Sequence, residues 1–516
     1  MNHLPILPVL VPCAAAIAML LAGPERVRLH RVLALLSCVV QLAVAVTLLR
    51  GAAAGDVLVY RLGDWPAPFG IVLVIDRLSA MMLLLTAVIA LPVVRYACAG
   101  WDTHGRHFHA LLQFQLMGLA GAFATGDLFN LFVFFEVLLI ASYCLVLHGL
   151  GTARLRAGLH YVVLNLVASA LFLVGIALLY NATGTLNMAD LALRVRELPE
   201  AQAPLAKSAA LILLVVFGLK AAIVPLHMWL PATYAAASAP VAALFAIMTK
   251  VGVYAILRVH VAMFGADAGA AALVAAPWLL AAALATGVAG MLGALAATTL
   301  SRMIAYLTIA SVGTILAGVG VYGADALGAA LYYLVHSTLI IAALFMLAEI
   351  VAAQRGQAGD RLQPAPPVGQ PALLGLLLLL GAVSVAGAPP LSGFVGKLML
   401  LQGVRVSPWW PAIWAMLLGT SLLAVIGMAR AGSILFWQVQ HDAAPAVRGG
   451  VQWKTFAAPG VLFAAGVAMT VFAAPLKGYA DAAAAQLTDA GGYAAIVLGD
   501  PRGRPGSARP LTEARP

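Results

Sequence analysis

Residues 126–139 read GDLFNLFVFFEVLL, and an acid, Glu136, stands inside one of the most apolar runs of the chain. Of the 516 residues around it, 63% are hydrophobic and only 9% are charged, with a mean hydropathy of +1.02. A chain this long could build several soluble domains, but the composition is that of a membrane protein. A span needs about 20 apolar residues to cross roughly 30 Å of hydrocarbon. Such runs occur about fourteen times, at 4–22, 31–49, 71–95, 107–125, 128–149, 160–180, 207–230, 236–263, 272–297, 302–320, 325–353, 372–402, 408–437 and 455–475. The expected fold is all-α and polytopic.

The first run lacks a basic leader and is followed by further spans, so it reads as a retained helix. A net charge of +10 would suggest nucleic acid in a soluble protein. Here the basic residues sit in short loops, where they orient the chain in a lipid bilayer. The loops carrying Arg26, Arg28 and Arg31, then Arg106, Arg154 and Arg156, Arg302, and Arg355 and Arg361 fall on one side if every run crosses. Arg194, Arg196 and Lys207 partly offset that bias, and both termini are expected outside the cytoplasm. Cys13, Cys38, Cys98 and Cys144 show no CxxC spacing and read as small buried hydrophobes. His104, His107 and His109, in HGRHFH, have a spacing that could hold a metal but read as part of a cytoplasmic loop without Cys or Asp support, so no metal is expected.

The loop 181–206 has apolar residues at helical spacing and is expected to form a short surface helix. Residues 476–516, Ala-rich and then rich in Pro, Arg and Gly, read as a disordered tail. Two runs carry breaks. In FGLKAAIVPLHMWLP, Pro225 frees the carbonyl of Ala221; in VAGAPPLSGFVGK, Pro389 and Pro390 free those of Val385 and Ala386. Backbone groups freed at membrane depth persist only where protein or water satisfies them. Transporters often place an ion path at such breaks within repeated halves.

From a span start near Leu128, Glu136 lies eight residues in, or about 12 Å, near the bilayer centre. A charge there costs on the order of 3 kcal/mol, so it normally faces protein or water and has a partner. Lys220, Lys250 and Lys397 supply the opposite sign, and only Lys397 is near enough to a run's end for snorkelling to explain it readily. Burial favours the neutral amine, and a nearby carboxylate favours the charged one. At about 7 Å and an effective dielectric of about 20, a Glu–Lys pair interacts by roughly 2.4 kcal/mol. That changes a proton-binding equilibrium by more than tenfold. His336 and His227 are suited to passing protons between such sites. Asp127 reads as a carboxylate at a helix N-terminus, and Asp76 and Arg77 as an interfacial pair.

GDLFNLFVFFEVLLIASYCLV, FGLKAAIVPLHMWLPATYAAASAPVAALFAIMTKVGVYAILRV, DRLSAMMLLLTAV and APPLSGFVGK together resemble the D subunit of Mrp-type (Pha- or Mnh-type) cation/proton antiporters. That family is similar to the antiporter-like subunits of respiratory complex I. The resemblance covers roughly residues 1–475. It implies fourteen helices with two inverted five-helix repeats, helices 4–8 and 9–13, whose seventh and twelfth helices are broken. The corresponding divisions are 1–106, 107–263, 264–437, 438–475 and the tail. Carried over by motif, Glu136 and Lys220 match the family's fifth-helix glutamate and seventh-helix lysine. Lys250 matches the basic residue linking the halves, His336 the eleventh-helix histidine, and Lys397 the twelfth-helix lysine. Many relatives carry a lysine about five residues after the histidine, where this chain has Ile341. The link there would rest on His336, Ser337, Thr338 and water.

The resulting expectation is a non-enzymatic transporter subunit of a bacterial inner membrane. It would move protons along Glu136, Lys220, Lys250, His336 and Lys397, with Na⁺ or K⁺ as the exchanged cation. Its partners would be subunits of the A, B, C, E, F and G types. A pumping subunit of complex I or of a membrane-bound hydrogenase, and a non-transporting scaffold, remain the alternatives. No nucleotide, flavin or metal motif is present, so no cofactor is expected.

Overall fold

A computed structural model of the chain describes residues 3–439 and 453–499. After a 3-10 turn, α1 (Leu7–Ala22) and α2 (Val27–Ala54) lead into a hairpin in which β1 (Leu58–Arg61) pairs antiparallel with β2 (Val72–Ile75). The run expected to be helical from residue 71 therefore opens as a strand. VLVI suits a pleated edge, and Asp76 starts the next helix by accepting from Ser79 N at 2.8 Å. Next come α3 (Arg77–Ala97), α4 (Phe108–Ala124), α5 (Leu128–Leu147) and α6 (Thr152–Thr183). Asp127 caps α5, as its position suggested. The expected surface helix is α7 (Met188–Arg196), capped by Asn187.

The first broken run is α8 (Ala203–Ala221) and α9 (Trp229–Ala236), followed by α10 (Ala239–Ile256), which continues as a π-helix, Leu257–Met263. Then follow α11 (Ala276–Ala296), α12 (Leu300–Val319), α13 (Ala324–Gln354) and the second broken run, α14 (Pro371–Ala386) with α15 (Ser392–Gly403). α16 (Trp410–Phe436), α17 (Trp453–Val471), α18 (Ala473–Thr488) and α19 (Ala490–Leu498) complete the described chain. Among the described residues eleven helices are long and apolar enough to span a membrane, or twelve if α17 and α18, bent by 85°, count together. Burial sorts them. The span formed by α10 and its π-helical continuation is enclosed throughout, and α3, α12 and α13 nearly so, whereas α1, α2, α6 and α16 turn more than half of their apolar windows outward. That outward surface suits lipid contact.

The segment expected to be a disordered tail is ordered as far as residue 499. Alanine is the best helix former. In α18, Ala480, Ala483, Ala484 and Leu487 make a buried stripe at helical spacing, packed against α13 and α3. Residues 500–516 lie outside the described part. Tyr479 donates to the Arg77 carbonyl at 2.8 Å, and Gln486 accepts from Arg77 N at 3.0 Å. The expected Asp76–Arg77 pair does not form. Asp76 instead takes a two-pronged ion pair from Arg258, both contacts at 2.6 Å, and Arg258 also donates to Tyr254 and Ser79. Removing one partner of such a buried pair costs about 3–5 kcal/mol, because the other charge is left bare. Arg258→Ala is therefore expected to lower the melting temperature of the purified complex and the amount of assembled chain in membranes.

The basic loops share one face. Arg31 bonds both Asp102 oxygens, Arg154 stacks 5.1 Å from the Trp101 ring and donates to the Ala236 carbonyl, and Trp101 donates to Glu349. Glu349, on α13, also accepts from Ala239 N at 3.0 Å and so caps α10. The hairpin, Asp127 and α7 meet on the other face, through Leu73 with Thr125 and Asp127 with Asn187. Contrary to the reading of HGRHFH, His109 has acid and thiol neighbours: ligand atoms of Cys98, Asp102 and His109 lie within 4.8 Å of one another. Both Asp102 oxygens are already engaged by Arg31 and one of them by His109, whose Nδ1 is buried without a partner, so the carboxylate is committed to an ion-pair network. Burial pushes the Asp102 carboxyl up, but hydrogen bonds from His109 and Arg31 outweigh it and hold it at about 2. A carboxyl held below its unfolded value adds stability that is complete above about pH 4 and is lost as pH falls towards 2. Arg31→Ala is expected to lower the melting temperature by a few degrees near neutrality, with the gap closing between about pH 4 and 2.

Candidate functional site

Glu136 lies on α5, two turns from its N-terminus, and is half-buried. It accepts from the hydroxyl of Ser169 on α6. Lys220, in the last turn of α8, is buried, and its ammonium donates to Asn165 Oδ1, also on α6, at 3.0 Å. Among the described residues no ion pair joins Glu136 to Lys220. The face of Phe135 lies 5.8 Å from Lys220 Nζ, a distance at which the ring quadrupole still attracts a cation. Helix α8 stops here because Ala222 turns left-handed at φ +61°. The break is filled by the Trp229 indole, which donates to the Leu219 carbonyl at 3.0 Å, and by Thr286, which accepts from Val224 N at 2.9 Å.

Lys250 sits mid-way along α10 with no solvent exposure and donates to Thr249 and to Ser311 on α12, both at 3.3 Å. Gly252, one half-turn on, lets α10 lie against the end of α8: a Cβ there would meet Ala221 N at 2.5 Å. Ser311 also lines a cavity of about 20 Å³ shared with Thr314, Ser337, His336 and Lys397, room for about one water. Ile341 borders the same cavity. Thr338 does not line this cavity, and its hydroxyl donates to the Leu334 carbonyl at 2.6 Å. Two hydroxyls of α12 stand instead beside the histidine.

His336 Nδ1 is 2.8 Å from the Ser392 hydroxyl at the head of α15. Gly393 is required beside it, because a Cβ would lie 1.9 Å from the Ser384 carbonyl and 2.9 Å from His336 Nε2. Lys397 donates to Ser421 on α16 at 2.7 Å and to the carbonyls of Val385 and Ala386, both at 3.1 Å. These are the carbonyls that Pro389 and Pro390 were expected to free. His227, beside the first break, bonds none of the other candidate side chains, and its Nδ1 is buried without a partner. The geometry thus links Glu136, Ser169, Asn165 and Lys220 at one end, and Lys250, Ser311, His336 and Lys397 at the other. It leaves His227 apart.

Residues 125–424 match the family model described as NADH:quinone oxidoreductase/Mrp antiporter, TM. The chain belongs to this family. It is 44% identical over 482 residues to the D subunit of a probable K⁺/H⁺ antiporter of Rhizobium meliloti (strain 1021), across 87% of this chain and 89% of that protein. The D subunit of a Na⁺/H⁺ antiporter of Bacillus subtilis (strain 168) is 38% identical over 450 residues, across 86% of this chain and 88% of its own. A chain of the Mrp complex from Dietzia sp. DQ12-45-1b superposes with a TM-score of 0.85 at 28% identity, covering 97% of this chain and 100% of that one. A chain of respiratory complex I from Thermus thermophilus shares the fold, with a TM-score of 0.79 at 24% identity across 94% and 99% of the two chains. The resemblance read from the motifs to this antiporter family is borne out.

Sequence reasoning passed over Asn165, Ser169, Ser311, Thr314, Ser392 and Ser421, the neutral groups that hold the charged ones. Asn165 and Ser169 did leave a signal, being two polar residues at a four-residue spacing inside an apolar run. Ser311→Ala removes the acceptor of Lys250 and a hydroxyl of the cavity. If this cavity carries a proton, the substitution is expected to slow proton movement through the assembled complex severalfold, measured by dye quenching in everted vesicles.

Proposed function

We propose that this chain is the proton-translocating D subunit of a multisubunit monovalent cation/proton antiporter, exchanging Na⁺ or K⁺ for protons across a bacterial inner membrane. The observation that carries the reading is the line of ionisable side chains at membrane depth, Glu136, Lys220, Lys250, His336 and Lys397. They lie beside two helix breaks and are held by hydroxyls, an amide and a water-sized cavity. The named K⁺/H⁺ and Na⁺/H⁺ activities of the R. meliloti and B. subtilis relatives support it. Proton entry would supply roughly 2.3 kcal/mol per charge per 100 mV for cation export. Pumping within complex I or a membrane-bound hydrogenase has less support, since the likeness to complex I at 24% identity is one of fold.

The architecture proposed with it has fourteen spans: the eleven long helices, the two shorter apolar helices α4 and α14, and the bent pair α17 and α18. Units 107–263 and 264–437 would be inverted repeats, flanked by 1–106 and 438–475, each with its fourth span broken. The basic-loop face would be cytoplasmic. Glu136 is only half-buried, and lipid cannot satisfy an acid at this depth, so a neighbouring subunit of the A, B, C, E, F or G type would cover α5 and α6 there. Antiport in everted vesicles tests the reading, with Glu136→Ala and Lys220→Ala made in the complete operon. Each is expected to abolish antiport while the complex still assembles. Normal antiport in both would overturn the proposal.

A further inference from the structure

We propose that α6 is the positioning element of the site, with Asn165 and Ser169 holding Lys220 and Glu136 apart so that each can gain and lose its proton. The inference rests on the function proposed above and adds residues to it. The two side chains are four positions apart on one face of α6, a rise of about 6 Å. One holds the lysine and the other the acid.

The orientation of Asn165 has only one satisfactory form. Its Nδ2 donates to the Tyr161 carbonyl at 2.9 Å and its Oδ1 accepts from Lys220, so a flipped amide would oppose donor to donor and acceptor to acceptor. The residue is buried, so no water can relieve that mismatch cheaply. The height of Glu136 against α6 is fixed twice. Ser169 binds the acid, and the Tyr161 hydroxyl pairs at 2.8 Å with Ser142, which lies on α5 less than two turns beyond Glu136. The chain of contacts from acid to lysine therefore passes through α6.

The chemistry of these two partners is what separates a device from a scaffold. An amide oxygen accepts from an ammonium and, more weakly, from a neutral amine, so it can hold Lys220 in either protonation state. A serine hydroxyl can donate to a carboxylate and, after rotating, accept from a carboxylic acid. A carboxylate in place of Asn165 would strongly favour the ammonium form. The other groups around Lys220 do not do this: α5 brings Glu136, already held by Ser169, and the Phe135 ring. α10 carries Lys250, held by Thr249 and Ser311; its π-helical continuation, also packed on α8, carries Arg258, paired with Asp76, and His260, buried against Phe217 without a hydrogen-bond partner; and Tyr161 on α6 faces Ser142.

The test uses the full operon and antiport as a function of pH in everted vesicles, with assembly checked by co-purification. Asn165→Asp is expected to lower antiport about tenfold at neutral pH with partial recovery at alkaline pH, since deprotonating the lysine must then overcome an adjacent carboxylate. Ser169→Ala is expected to shift the pH profile and lower the rate severalfold, while Ser169→Thr, which keeps the hydroxyl, restores the parent profile. Should Asn165→Asp fail to assemble, the Ser169 pair carries the test alone. Parent-like profiles in Asn165→Asp and Ser169→Ala, with Glu136→Ala and Lys220→Ala inactive, would overturn the inference and leave the proposed function standing. Full activity in the latter two would remove that function itself.

Discussion

Hydrocarbon offers no hydrogen bonds, so every charge and every freed backbone group at membrane depth must find its partner inside the protein. The second helix break meets this constraint from both sides at once. The carbonyls of Val385 and Ala386 lose their helical donors, and Lys397, which needs acceptors, donates to both. Without the break Lys397 would keep only the Ser421 hydroxyl, and without Lys397 the two carbonyls would lose the donor that fills the break. At the first break an indole donates to the Leu219 carbonyl and a threonine hydroxyl accepts from Val224 N, while Lys220 turns to α6.

The ion pairs and the candidate relay divide by partner type. Arg258 and Arg31 are matched with the carboxylates of Asp76 and Asp102, and arginine stays charged under all ordinary conditions. Lys220, Lys250 and Lys397 are held within the described residues by an amide, hydroxyls and carbonyls, with no carboxylate in ion-pair contact. Arginine with acid makes a fixed clamp. Lysine with neutral acceptors makes a site whose charge remains adjustable, which is what a proton pathway requires. Fixed contacts stand at the two ends of α10, the helix that carries Lys250: the Arg258–Asp76 pair on one face, and on the other Glu349, which caps α10 and accepts from Trp101.

Much of this could be read from single residues against their surroundings. Glu136 and the three lysines stood out because charges are rare in apolar runs, and the breaks stood out because proline cannot continue a helix. The misses share another cause. Neutral polar residues such as Asn165 and Ser311 are common in apolar helices, and nothing local says whether they face lipid, a neighbour or a lysine. Asp76 was matched with its sequence neighbour Arg77, although its partner is 182 residues away. The alanines after residue 476 looked like low complexity because their apolar stripe has meaning only against α13 and α3.

The sequence by itself determined that the chain is helical and membrane-embedded, that two spans are broken, and which acid and which amines stand at depth. These follow from hydrophobic length, from the missing N–H of proline and from the cost of burying a charge, all local properties of the chain. Only the tertiary structure decided which groups meet: that Glu136 and Lys220 each bond a residue of α6 rather than one another, that Ser311 bridges Lys250 to the cavity beside His336, and that Lys397 fills the break it follows. Such meetings depend on helix rotation and height, which packing between helices sets and no single helix encodes.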